Sequence, residues 1–590
     1  MTVEAWITLG VVLVMLVALV REWTAPAIAV LGAMALLLVV GVTTPDEALA
    51  GFSNAAPITV AALYVLARAV EKTGALQPLL SRTLARGGGP RRSLARILLP
   101  TAGASAILNN TPIVAMLAPQ VAGWAEQRGH AASFYLMPIS FAAILGGMVT
   151  LIGTSTNLVV SGLLQEVGQA PLGMFEMTGV GLPVALAGLA LIVALAPVLL
   201  PERKGPLRSF EEESKEFTVG MEVDLGGPAD GRSIEDAGLR HLEGVYLAGI
   251  EREGELLAPV GPEEVLRAGD HLVFVGSADL VVDLQAVRGL RSAEHEHTKG
   301  FEDSAHAFFE VVVSPISPLV GATLRDANFR EQYQAAVMAI HRSGERVRGK
   351  LGEVRLRPGD ALLLLSHRGF RSQWRDRRDF LLIADLAGSL PIGTRKGAFV
   401  LATAGAMVGL AALGWLPILK GALLAAILMV VTGTLSASEA VRAVDMNVIL
   451  LIAAAFGVGA AIQVSGLAAV LARGIVGPMA ALGPVAVLAG VVLATLLLTE
   501  LITNNAAAVL MFPVGVAAAA AVGAEPRGFA WAVALAASAS FLSPVGYQTN
   551  SMVYGLGGYH FGDYARLGLP IAAGSATLIT GAVAWQWGLW

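Results

Sequence analysis

Cysteine is absent from the 590 residues. Disulfides, thiolate metal sites and cysteine nucleophiles are therefore excluded. Charge is scarce as well. Only 14% of residues are Asp, Glu, Lys or Arg, against about 25% in an ordinary soluble domain. With 55% hydrophobic residues and a mean hydropathy of +0.68, the composition is that of an integral membrane protein. The net charge of −5 says little, because the charges are clustered. The first apolar run, 5–20, lacks a basic segment before it and a small-residue cleavage site, so it reads as a retained span. His295, Glu296 and His297 stand together in a charged stretch, which a solvated linker explains without a metal.

What is present is one motif used twice. Residues 107–119 read ILNNTPIVAMLAP, and residues 501–513 read LITNNAAAVLMFP. Each is a knot of amides and hydroxyls in an apolar stretch (Asn109, Asn110, Thr111; Thr503, Asn504, Asn505), closed by Pro119 or Pro513. Asn110 and Asn504 are 394 positions apart, as are the two prolines. Polar groups this dense are costly in hydrocarbon. They are tolerated where broken helices line a cavity, and paired breaks in two halves mark a secondary transporter's binding site. Behind the knots, GTSTNLVVSG (153–162) and GYQTNSMVYG (546–555) match at an offset of 393. Gly41, Glu47 and Gly74 match Gly433, Glu439 and Gly466 at 392. A nearly constant offset across independent landmarks points to duplication.

Apolar runs near the roughly 20 residues of a membrane helix fall at about 5–20, 25–43, 53–70, 133–163 and 174–200, and again at about 397–414, 416–435, 444–464, 527–556 and 568–588. The knots lie in interrupted regions, 93–124 and 482–521, that read as re-entrant hairpins. The expected fold is an all-α polytopic membrane protein, with five spans plus one hairpin in each of two repeats, 1–200 and 395–590. Five is odd, so the second copy must be inverted. Arg82, Arg86, Arg91, Arg92 and Arg96 make the loop at 73–98 cytoplasmic. Counting crossings then puts the segment 201–390, flanked by Arg203, Lys204, Arg395 and Lys396, in the cytoplasm and both termini outside.

The insert repeats with its own period. Gly231, Ile250, Gly254 and Gly269-Asp270 recur 90 positions later as Gly321, Ile340, Gly344 and Gly359-Asp360. Strand-like runs GVYLAGI (244–250) and AAVMAI (335–340), and a turn leading into a final apolar strand in RAGDHLVFVG (267–276) and RPGDALLLLS (357–366), predict two small α+β domains, 206–292 and 305–388. They hold no phosphate-cradling glycine loop and no catalytic cluster.

Asn and Thr can hydrogen-bond an anion, and their oxygens can coordinate a hard cation. Half-helix N-termini favour negative charge, and unwound carbonyls favour cations. Gly153 and Gly546 let the chain unwind, and Thr156-Asn157 and Thr549-Asn550 add oxygens. The alternative is that these groups only tie helices together; their register across two halves argues for a site. Glu500 precedes the second knot and has no counterpart, since Ala106 stands there. It is a coupling-ion candidate, a cavity-edge group or an acceptor for hairpin amides. Asp445 reads as a capping or snorkelling group, and Trp585, Trp587 and Trp590 as an interfacial belt.

These motifs resemble those of the divalent anion:sodium symporter family, whose hairpin tips carry Ser-Asn-Thr followed by a Gly-Thr-Pro-Pro-Asn-like break. The matching positions here are Asn109-Asn110-Thr111 and Thr503-Asn504-Asn505, with breaks at Gly153–Asn157 and Gly546–Asn550. The insert resembles two TrkA C-terminal domains, and the combination resembles the sulfate-permease-like branch. The resemblance implies a homodimer, elevator-like movement, sodium-coupled uptake and tip residues that contact the anion. It implies one sodium near Asn110, Gly153, Thr154 and Asn157, and another near Asn504, Gly546 and Asn550. It implies no organic cofactor, no enzymatic activity and no nucleic-acid partner; a nucleotide is a candidate ligand of the insert. The departures, with Ser155-Thr156 and Gln548-Thr549 in place of Pro-Pro, favour a compact oxyanion such as sulfate over a dicarboxylate. Other readings are a sodium/proton antiporter or arsenite exporter of the same fold, a ligand-gated channel and a nutrient sensor. A bacterial inner membrane is the expected location.

Overall fold

The computed structural model describes residues 1–21, 23–76, 78, 83, 89–128, 130–203, 218–239, 245–252, 255–257, 260–276, 290–292, 306–314, 317–342, 345–347, 351–367, 369–374, 379–385 and 395–590. Arg82, Arg86, Lys204, Gly254, Gly344, His295, Glu296 and His297 lie outside the described residues.

The first half comprises α1 (Val3–Val20), α2 (Pro26–Val39), α3 (Pro45–Ser53), α4 (Ala55–Thr73), α5 (Pro90–Ser105), α6 (Asn110–Gln127), α7 (Ser133–Gly147), α8 (Ser155–Glu166) and α9 (Thr178–Leu199). The second comprises α10 (Arg395–Ala412), α11 (Ile418–Val431), α12 (Ala437–Ala443), α13 (Met446–Val464), α14 (Leu467–Met479), α15 (Pro484–Leu501), α16 (Asn504–Ala521), α17 (Pro526–Ser538), α18 (Gln548–Leu556) and α19 (Phe561–Gln586). Among the described residues, seven stretches are long and apolar enough to cross a membrane: α1, Pro45–Thr73, α9, α13, α15, α16 and α19. The runs at 133–163 and 527–556 are each divided into two helices.

Matched sequence positions perform matched local tasks. Thr44 caps α3 and Ser436 caps α12, and Glu47 and Glu439 return a bond to each cap's own N–H, closing a capping box. Gly74 ends α4 at φ +60°, and Gly466 follows α13 at φ +78°, a backbone region costly for any residue with a Cβ. Asp445 caps α13 by accepting the Asn447 N–H at 3.1 Å.

Other expectations need correction as well. Pro119 and Pro513 do not close the knots; they sit inside α6 and α16. Packed neighbours allow a membrane helix to continue past a proline. The helix α14 was not foreseen, because Gly474, Gly477 and Pro478 disguise its end. Of the three C-terminal tryptophans, Trp585 and Trp590 are exposed, whereas Trp587 stacks edge-on against Trp531 at 4.5 Å.

The halves interlock. A Cβ on Gly51 of α3 would strike the Ala453 carbonyl of α13, and one on Gly457 of α13 would strike the Ala48 carbonyl. α9 packs along α19. Arg203, just past α9, grips Asp563 near the start of α19 at 3.1 Å.

Between the halves lie two five-stranded antiparallel sheets. The first contains β1 (Thr218–Val223), β2 (Val245–Arg252), β3 (Glu255–Leu257), β4 (His271–Gly276) and β5 (Leu290–Ser292) in the order β3-β2-β4-β1-β5. The second contains β6 (His306–Val313), β7 (Ala335–Arg342), β8 (Glu345–Arg346), β9 (Ala361–His367) and β10 (Phe380–Asp385) in the order β10-β6-β9-β7-β8. Read from opposite edges, the two orders trace the same path. Gly231, Gly269, Gly321 and Gly359 all adopt positive φ. Arg252 pairs with Asp270 at 2.8 Å, and Arg342 pairs with Asp360 at 2.8 Å. Hydrogen bonds to these carboxylates raise the pKa of both guanidiniums.

The second sheet touches the membrane helices. Val312 of β6 joins their buried core, β6 packs on α18, and β10 packs on α6. A Cβ on Gly555 of α18 would come within 3.1 Å of the Gly359 carbonyl oxygen.

Each Arg–Asp pair holds its own sheet. Asp360→Ala should remove charged hydrogen bonds worth about 1.5–3 kcal/mol. Hydrogen exchange of the full chain should quicken in β6, β7 and β9 and stay unchanged in β2 and β4. Equal acceleration in both sheets would contradict this assignment.

Candidate functional site

The site begins where two helices stop inside the apolar core. α7 ends at Gly147 and the chain unwinds until α8 begins at Ser155. α17 ends at Ser538 and the chain unwinds until α18 begins at Gln548. The residues before the new helices, Thr154 and Tyr547, share an extended backbone, with φ −138° and −139°. Close packing demands glycine in both breaks. A Cβ on Gly153 would lie 2.5 Å from the Gly147 carbonyl oxygen, and one on Gly546 would lie 2.6 Å from the Thr499 carbonyl oxygen.

Side chains satisfy the freed carbonyls, as hydrocarbon requires. Asn157 donates its amide to the Thr150 carbonyl at 2.8 Å, and Asn550 donates to the carbonyls of Ser540 and Ser543 at 3.1 Å each. The Ser105 hydroxyl donates to the Ala143 carbonyl at 2.8 Å, and the Thr499 hydroxyl to the Ala537 carbonyl at 2.6 Å.

Each hairpin tip then meets the break of the other half. From the first tip, Asn110 meets the Tyr547 hydroxyl at 2.6 Å, and the Thr111 hydroxyl donates to Gln548 Oε1 at 3.3 Å. From the second tip, Asn504 donates to the Thr156 hydroxyl at 2.9 Å, and Asn505 Oδ1 accepts from the Ser155 hydroxyl at 3.0 Å. The N-termini of α6, α8, α16 and α18 thus gather in one place. Asn109 sits at the rim, half-buried, its Oδ1 accepting from the Thr111 N–H at 3.4 Å.

Asn110 is fully buried. Its carboxamide is satisfied with nitrogen donating to Ser105 Oγ at 2.6 Å and the Gly153 carbonyl at 2.9 Å, and oxygen accepting from Tyr547. Among the described tip and break residues, two buried oxygens have no hydrogen-bond partner, Asn157 Oδ1 and Thr503 Oγ1. Asn550 differs from its counterpart, because its Oδ1 accepts from the Ser140 hydroxyl at 2.7 Å. A buried acceptor left unpaired costs about 1–3 kcal/mol, and Asn157 Oδ1 is such an acceptor.

Residues 14–536 match the family described as citrate transporter, CitMHS. The chain belongs to the CitMHS family. It is a transporter and not an enzyme. It is 34% identical over 91% of its length to a Chlamydomonas reinhardtii protein named sulfur deprivation response regulator, of which 94% is covered. It is 35% identical over 96% of its length to an uncharacterized transporter of Synechocystis, again with 94% covered. Over 94% of its length it is 25% identical to sodium/sulfate cotransporter 2 of C. reinhardtii, of which 86% is covered.

In this CitMHS protein, Glu500 is held by the backbone. One carboxylate oxygen accepts from the N–H groups of Phe541 and Leu542 at 2.7 and 2.8 Å, and the other accepts from the Ser540 hydroxyl at 3.2 Å. It anchors the second break to the second hairpin, and the amides it accepts belong to the break and not, as its position suggested, to the hairpin. Sequence reasoning missed Ser105, Ser140 and Tyr547. The first two are lone hydroxyls in apolar runs, and no local pattern marks them.

Glu500→Gln keeps an acceptor for the two amides, whereas Glu500→Ala orphans both. Thermal unfolding in detergent should fall clearly for the alanine variant and little for the glutamine. Equal stability of parent and Glu500→Ala would remove the anchoring role.

Proposed function

We propose that the chain is a sodium-coupled secondary active symporter for a divalent anion, with sulfate preferred. The convergence of four helix N-termini on uncharged tips carries this reading. Each N-terminus presents about half an elementary charge. Four of them therefore offer roughly two positive charges, the amount a divalent anion needs. Asn109, Thr111, Thr503 and Asn505 supply hydrogen bonds, with Asn110 and Asn504 ordering the tips. Sodium, co-transported as substrate, takes the first break near Asn110, Gly153, Thr154 and Asn157, where Asn157 Oδ1 is unpaired. A second sodium takes the break near Asn504, Gly546 and Asn550. Relatives named sodium/sulfate cotransporters support the pairing of ion and anion.

The family's description favours a carboxylate substrate instead, so succinate and citrate belong in the same assay. The name of one relative favours a sensor, which would bind anion without moving it. A proton antiporter is less well supported, since Glu500 is occupied by backbone amides. The two halves are read as inverted repeats in a bacterial inner membrane, moving as an elevator within a homodimer, with both termini outside.

Uptake of labelled sulfate into proteoliposomes should require sodium. Asn157→Ala and Asn550→Ala should raise the sodium concentration for half-maximal uptake. Thr111→Val and Thr503→Val each remove one hydrogen bond to a charged ligand, worth about 1.5–3 kcal/mol, or roughly 10- to 150-fold in affinity. Full uptake in sodium-free buffer would sink the coupling. Parent-like affinity in both valine variants would move the anion elsewhere.

The insert is read as a pair of cytoplasmic TrkA C-terminal-like domains that regulate transport through a small ligand such as a nucleotide. Its support is contact: the second sheet packs on α18 at Gly555, beyond Asn550, and on α6 behind the first tip. A ligand shifts transport only by binding two states differently. Replacing 206–388 with a Gly/Ser linker should preserve sodium-driven uptake and change its rate or metabolite response. A dimeric variant with both unchanged would reduce the insert to a prop.

A further inference from the structure

Tyr547 breaks the two-fold pattern of the site. Its counterpart, 393 positions earlier, is Thr154, and both stand in extended backbone immediately before a half-helix. The tyrosine carries a ring across the gap between the halves. Its hydroxyl reaches Asn110 of the first tip at 2.6 Å and Thr154 of the first break at 3.2 Å, with Asn504 of the second tip beside it. One phenol oxygen therefore stands where both tips and one break converge. The residue is only 6% exposed, so the ring is a fixed part of the wall.

We propose that Tyr547 sets the size of anion that the site accepts, by filling with its ring one of the two half-sites that the repeated motif would otherwise leave equivalent. This rests on the anion reading above. A dicarboxylate carries its charges on separated groups, so it needs room and donors at both ends. A tetrahedral oxyanion gathers its charge around one atom and needs one half-site. The ring removes the second, and its hydroxyl occupies the Asn110 oxygen and faces the Thr154 hydroxyl. The site that remains is compact and asymmetric. Exclusion by volume is the kind of discrimination in which a ring lost or kept changes selectivity by about tenfold or more.

Sodium-driven uptake of labelled sulfate, with succinate as competitor and as labelled substrate, tests this in proteoliposomes of the full chain. Tyr547→Phe keeps the ring and loses the hydroxyl; it should weaken sulfate affinity and still exclude succinate. Tyr547→Leu and Tyr547→Ser remove progressively more volume. The succinate-to-sulfate ratio should rise in the order Phe, Leu, Ser, by about tenfold or more at the end of the series. If the serine variant does not fold, the comparison of leucine with phenylalanine still decides. Parent-like exclusion of succinate in folded Leu or Ser variants would overturn the role of Tyr547. A parent that takes up succinate as readily as sulfate would overturn it too, while leaving anion symport intact. A parent that moves neither anion would overturn the symport reading itself, and the size filter with it.

Discussion

A peptide group that leaves a helix inside hydrocarbon must find another partner. Everything distinctive in this chain follows from meeting that demand at two places. α7 and α17 stop in the buried core, and Asn157, Asn550, Ser105 and Thr499 take up the carbonyls that the stops release. Glu500 takes up two of the amides. Because these partners are side chains of neighbouring elements, the breaks and the hairpins cannot be separated. The polar tips that look expensive in sequence are the means by which the unwound segments are tolerated.

The same arrangement governs charge. The tip and break residues are uncharged, so a ligand meets dipoles rather than ions. On the proposed anion reading, the departing anion would leave behind helix N-termini and amides and no bare charge in the membrane. That suits a carrier, which must return empty. The two halves do not contribute equally. Asn550 is satisfied by Ser140, Asn157 has a free oxygen, and Tyr547 stands where Thr154 would stand by symmetry.

The soluble segment is attached at more than its ends. Arg203 holds the exit from α9 to the start of α19, and Val312 is buried among the membrane helices. The near contact of Gly359 with Gly555 leaves little room for a side chain between the second sheet and α18. A change in that sheet would therefore act within about two helical turns of Asn550.

Much was legible in the chain because it is local. Positive-φ glycines, capping boxes and polar knots are written in a few adjacent residues, so Gly74 and Gly466, Glu47 and Glu439, and the two tips could be matched by spacing alone. The five-strand path of each sheet, the direct contact of the insert with α18 and the helix α14 could not, since they depend on long-range packing or on residues with no periodic signal. The prolines misled for a physical reason: in a packed membrane helix, Pro119 and Pro513 interrupt a hydrogen bond without ending the helix. By itself, the sequence determined the transporter class, the two polar tips and the breaks behind them, because polarity in hydrocarbon is too costly to be incidental. Only the tertiary structure decided which tip meets which break, that Glu500 serves backbone amides, and that the Tyr547 ring crosses between halves, because those partners lie from 41 to 437 residues apart.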